Sequence, residues 1–297
     1  MRPPVGGQGG RFHDGGTPTQ PPDPDAPARV LLERRFTDGH ETWAMLRRIA
    51  YDDRRLGELL VPADLGSFTS DLTSVPSVLT WLVPRTGAHL PAALVHDGLV
   101  GPADDGAPAY VSAEGHVVDR VEADRVFRDA MADTGTGVVR RWLAWSAVTL
   151  VTLLGRDQPW PAWRRWRYRL AVLGSLLLVV WLGWCATWDI LDRSAPAAPG
   201  APWIPEGSVA AELLAGAAGA LVVPLLLALT WGRFRVAGAV LGTGLAFLLH
   251  VTVVVAALSA LAWAAEALVA RAPQVAAALT TLVVAAAAVV LVVALLR

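Results

Sequence analysis

Apolar and polar positions divide the chain into zones of different rhythm. Residues 1–28 are rich in Gly and Pro and carry no sustained apolar run, a composition that predicts a disordered tail. Residues 29–157 alternate short apolar and charged intervals, whereas beyond residue 168 long uncharged runs take over. In the middle zone VLLERRF (30–36) and TWAMLRRIAY (42–51) read as strands, and the Asp38-Gly39 pair between them is a hairpin signal. GELLVPADLGSF, from Gly57, supplies a third strand, and Pro76 and Pro84 punctuate the loop or turn that follows.

Helical spacing begins at PAALVHDGLV (91–100), with Pro91 in a first turn where its missing N–H costs nothing. Ala92, Val95, His96 and Leu99 share one face; Ala93, Leu94 and Asp97 share another. Both faces are apolar, so His96 and Asp97 are expected to be largely buried and to need partners. A second helix is predicted to start at Asp119, capped by that carboxylate with Glu122 completing the box. Ala123, Val126, Phe127, Ala130 and Met131 form its inward stripe, and Asp124 borders it. Glu122, Arg125, Arg128 and Asp129 fall on the face expected to be solvated. Gly135 and Gly137 end this helix, and VVRRWLAWSAVTLVTLLG forms a third whose apolar run is too short to cross a bilayer.

Four later runs reach the roughly 20 apolar residues that a bilayer-crossing helix needs. They extend from about Leu170 to Ile190, Val209 to Trp231, Val236 to Trp263 and Val275 to Leu296. Before the first lies an interfacial cluster at 158–169, containing Trp160, Trp163, Arg164, Arg165, Trp166, Arg167 and Arg169. The connection between the second and third carries Arg233 and Arg235. Positive residues favour the cytoplasmic side and tryptophans the interface. The pattern therefore predicts four spans over residues 170–297 with both termini cytoplasmic, in an inner or plasma membrane. The fold class expected is a small cytoplasmic α+β domain, with short antiparallel strands followed by three helices, fused to an all-α four-helix transmembrane region.

Composition adds three constraints. Hydrophobic residues make up 54% of the 297, an apolar excess for a soluble protein. A net charge of -1 offers no basic footprint for nucleic acid, so the lipid bilayer is the expected partner. The lone Cys185 cannot form an intrachain disulfide, and the N-terminal stretch has no apolar signal-peptide core, so a cytoplasmic domain is expected. Gly238 and Gly242 form a GxxxG that would permit close helix packing, including with a second copy of the chain. His250 is the ionisable residue well inside a span, and the membrane half reads as an anchor or assembly region.

Candidate chemistry gathers at Asp71, Ser74, His96, Asp97 and Asp124. A histidine with two or three carboxylates can hold a divalent metal ion, or a carboxylate can orient the histidine as a general base. On that reading His96, Asp97 and Asp124 are catalytic candidates, Asp71, His96 and Asp97 are candidate metal ligands, and Asp71 and Ser74 support the site. Ser74 lacks the glycine-flanked elbow of a serine nucleophile. On the other reading the same groups form a polar network that fastens the fold, Asp71 bonding the backbone of its turn and the aspartates meeting backbone N–H groups or Arg85.

Taken in order, Val61-Pro62, SDLTSVP (70–76), Pro84, AALVHDGL (92–99), EADRVFRDAM (122–131) and RRWLAW (140–145) resemble a phage- and prophage-associated family of unknown function, DUF1353. The resemblance covers about residues 30–156 and leaves the membrane half unmatched. Ser70 replaces the family's threonine and Ser77 a basic residue. Gly98 and Val100 replace tyrosines, Trp145 another tyrosine, and Thr149 an arginine. The family has no settled activity, so the resemblance implies a fold and a phage connection. A non-catalytic assembly or interaction module is the leading functional expectation. A metal-dependent hydrolase-like domain, using the His-Asp/Asp cluster at the inner membrane face, is the alternative.

Overall fold

A computed structural model describes residues 10–37, 40–70, 72, 86–101, 107–156, 158–191, 200–205 and 208–295. The chain divides into two units, Met1–Phe247 and Leu248–Arg297. The first opens with β1 (Arg11–Asp14), β2 (Leu32–Thr37), β3 (His40–Met45), β4 (Ile49–Asp53), β5 (Gly57–Val61) and β6 (Thr69–Ser70). Helix α1 (Leu90–Val100), strand β7 (Val111–Ser112) and helices α2 (Arg120–Asp133) and α3 (Val138–Leu154) follow. All strand pairings are antiparallel, in a four-stranded sheet of order β1-β4-β5-β7 and a three-stranded sheet of order β2-β3-β6.

TWAMLRRIAY, expected as one strand, is two. Its first half belongs to β3 and pairs with β2; its second half is in β4 and pairs with β1 and β5. The chain turns between them, held where Leu46 N donates to Leu31 O at 2.9 Å and Arg48 N donates to Gly16 O at 3.0 Å. The N-terminal stretch needs a second correction: within the expected disordered tail, residues 11–14 form β1, in register with β4. A single acid explains why so polar a stretch is fixed. Asp14, 2% exposed, accepts from Arg47 Nε at 2.5 Å and from the Gly16 N–H at 3.0 Å, and Arg29 lies 3.5 Å away. The Arg47 guanidinium is the main reason its carboxyl pKa falls to about 2, against the opposing effect of burial.

The core lies between the four-stranded sheet and the helices. Ile49, Tyr51, Leu59 and Val61 supply its sheet side; Leu94 and Val95 of α1, and Val126, Phe127 and Met131 of α2, supply the other. As expected, α2 is capped by Asp119, whose carboxylate accepts from Glu122 N at 2.8 Å. Gly135, at φ +71°, ends it in the left-handed conformation that glycine adopts without a Cβ clash.

Helix α3 packs on α4 (Ala162–Ile190), and α4 on α5 (Val209–Ala228). A 3-10 segment, Leu229–Phe234, leads into α6 (Arg235–Arg271), which continues into the second unit; α7 (Pro273–Leu295) follows there. Among the described residues, three helical runs are long and apolar enough to cross a membrane: Ala162–Ile190, Val209–Val251 and Val253–Arg271. The second holds the Val209–Trp231 run and the first part of the run from Val236, and Gly232, at φ +59° and ψ -121°, breaks it between them. Trp231 Nε1 donates to Ser175 Oγ at 2.9 Å in a buried contact between that break and α4. The GxxxG glycines face inward within this unit: a Cβ on Gly242 would stand 2.9 Å from Pro224 Cβ, and one on Gly238 would press on the Trp231 ring.

Candidate functional site

Two helices bring the sequence candidates together. His96 projects from α1 toward α2, where Asp124 Oδ1 lies 2.9 Å from its Nε2. The imidazole stacks at 37° over the Phe127 ring, with centroids 5.0 Å apart. His96 is 4% and Asp124 2% exposed, so the pair is buried. Asp97, on the neighbouring position of α1, sets its Oδ1 3.9 Å from His96 Nδ1 and accepts from Ser70 Oγ at 2.6 Å. Ser70 Oγ also accepts from Leu72 N at 3.0 Å, and Leu72 holds a left-handed φ of +52°. The Ser70 hydroxyl thus serves both contacts.

Burial alone would push the His96 imidazole toward its neutral form. The carboxylates of Asp124 and Asp97 outweigh it and raise the pKa above the ordinary value. The result is a charge-assisted hydrogen bond that pins α1 to α2. His96 Nδ1 and Asp124 Oδ2 are buried without a hydrogen-bond partner. Asp71, Ser74 and Arg85 lie outside the described residues.

Several polar groups escaped the sequence reading. Arg125, expected in solvent, is 9% exposed and forms a fork with Asp53, Nη1 to Oδ2 at 3.0 Å and Nη2 to Oδ1 at 2.7 Å. Asp53 also accepts from the N–H groups of Arg55 and Leu56. Burial would raise its carboxyl pKa, but the arginine and these amides hold it below the ordinary range. Tyr51 donates to Asp133 Oδ2 at 2.7 Å, a bond from β4 to the end of α2. His13, Asp52 and Glu58 form a further polar group on the four-stranded sheet. No helical stripe could find these contacts, because each joins a helix or strand to a partner far along the chain.

Residues 43–148 match the model of a family described as a protein of unknown function, DUF1353. That match contains α1, α2 and every described member of the His96 cluster, while the rest of the chain lies outside it. Neither a curated relative nor a solved structure matches the chain. Gly98 and Trp145 have a packing role. Gly98 lies so close to β5 that a Cβ there would collide with Val61 Cγ1, and Trp145 is buried in the core.

The interfacial residues form a second grouping, at the start of α4. Arg164 and Arg233 both stand over the Trp160 ring, at 5.3 and 5.6 Å from its centroid, and Arg167 stands over Tyr168 at 5.4 Å. Arg165 and Arg169 donate to the carbonyl oxygens of Arg156 and Gly155, while Trp163 and Trp166 are exposed.

Proposed function

We propose that the chain is a membrane-anchored, non-catalytic assembly or interaction module, with its DUF1353 domain held at the cytoplasmic face. The observation that carries this reading is the buried His96–Asp124 pair. A buried imidazole–carboxylate hydrogen bond between packed helices specifies how those helices dock, and so low an exposure disfavours the water or substrate that a general base needs. The phage association implied by the family resemblance is in keeping with an assembly role.

Anchoring rests on the apolar helical runs and on the placement of the arginines. Arg164, at the start of the first run, and Arg233, at the break in the second, stand over one tryptophan, which supports a reading with both on the same side of the membrane. With the arginines inside, the break at Gly232 separates two spans, α7 supplies a fourth, and both termini lie in the cytoplasm.

The hydrolase-like alternative has one observation in its favour, the unpartnered Nδ1 of His96 and Oδ2 of Asp124. Full-length protein in detergent separates the two readings. His96→Ala leaves an uncompensated buried aspartate and is expected to cost about 3–5 kcal/mol of stability, with no change in bound metal. Loss of a stoichiometric metal from a His96→Ala protein that still melts like the parent would instead establish the metal-dependent reading.

A further inference from the structure

Three adjacent strands present an imidazole and two carboxylates on one face of the four-stranded sheet. His13 of β1 is in register with Ala50 of β4; Asp52, two residues on, is in register with Glu58 of β5. Register partners share a face, as do alternate residues along a strand, so all three project the same way. Glu58 Oε2 lies 3.1 Å from His13 Nε2, and Asp52 Oδ2 lies 3.6 Å from His13 Nδ1. One donor atom from each residue lies within 4.8 Å of the others.

The cluster is unbalanced as it stands. Directly opposed carboxylates on neighbouring strands repel, and His13 brings at most one positive charge against two negative ones. Arg11, the register partner of Asp52, makes no ion pair with it among the described residues. His13 is 1% exposed, and its Nδ1 is shut off from water with no hydrogen bond. A buried lone pair or N–H without a partner is costly and calls for one. The carboxylate side chains, by contrast, are 49% and 37% exposed, so water can reach the cluster from one side.

We propose that His13, Asp52 and Glu58 form a divalent-cation site. A doubly charged ion neutralises both carboxylates and accepts a lone pair from a neutral imidazole, while solvent completes its shell. Imidazole favours zinc-like ions and carboxylates favour harder ones, so the mixture fits Zn²⁺ or Mn²⁺ better than Mg²⁺ or Ca²⁺. The ion would clasp β1 to β4 and β5, fixing a strand drawn from an otherwise Gly- and Pro-rich segment. This proposal does not rest on the reading of His96.

The test uses the full chain in detergent, stripped with a chelator and titrated with Zn²⁺ by calorimetry, with metal content read after dialysis. A single zinc ion per chain is expected. Asp52→Asn and Glu58→Gln, which keep side-chain size at half-exposed positions, should each weaken binding at least about tenfold. Asp97→Asn, beside the other histidine, should bind as the parent does. A parent chain that holds no zinc, or an Asp52→Asn/Glu58→Gln protein that binds like the parent, overturns the proposal; so does loss of binding on Asp97→Asn alone.

Discussion

At the scale of single residues, burial and charge pull His96 in opposite directions. Asp124 at 2.9 Å, with Asp97 beyond it, leaves the imidazole with a raised pKa despite the apolar surroundings. A group whose folded pKa is raised contributes stability that is complete below its unfolded pKa, near 6.5, and is lost as pH climbs through the folded value. Melting temperature in detergent should therefore fall as pH rises from about 6.5 into the alkaline range. In Asp124→Asn that slope should flatten; an equal slope in parent and variant would show that another group titrates. The Asp53–Arg125 fork is another buried ionic contact. Arg125→Met removes the cation from an aspartate whose side chain is fully buried, with an expected loss of about 3 kcal/mol. Chemical denaturation measures it, and a loss near zero would mean that the amides of Arg55 and Leu56 suffice. The sequence identified His96, Asp97 and Asp124 from helical faces. It missed Arg125 because a charged residue beside an apolar stripe has the pattern of a solvated one, and the buried Asp53 that reverses this lies 72 positions away.

Among the elements, spacing between layers explains more than propensity does. Helix α1 approaches β5 at Gly98, where a methyl group would meet Val61 Cγ1. Gly98→Ala is helix-favouring by propensity yet is expected to destabilise by about 1–3 kcal/mol through overpacking. A stabilised variant would show that α1 can shift outward without loss. The helices were legible because their caps and apolar periods are local: Asp119 with Glu122 at one end of α2, Gly135 at the other. The strands were less so. TWAMLRRIAY has the composition of one strand, and only its pairing reveals that it feeds two sheets. The four-residue β1 is stabilised by partners beyond its own segment, Tyr51 under Phe12 and Arg47 on Asp14, so composition alone could not distinguish it from a tail.

For the whole molecule, we propose that the region matching the DUF1353 model, residues 43–148, is carried on the cytoplasmic side of a membrane by helices that begin at an arginine-tryptophan edge. Hydropathy revealed where the apolar runs lie, because desolvation of a helix in lipid depends on composition and length alone. It separated the second and third runs at WGRFR, where the helix breaks at Gly232, but the backbone angle of that break was not legible. Nor could it place Arg164 and Arg233 over one ring. The most direct measurement is a pair of reporters, one fused at the N-terminus and one at the C-terminus of the full chain, read for cytoplasmic or external activity in cells. Both reporters are expected to read cytoplasm. An external signal from either end would contradict that topology.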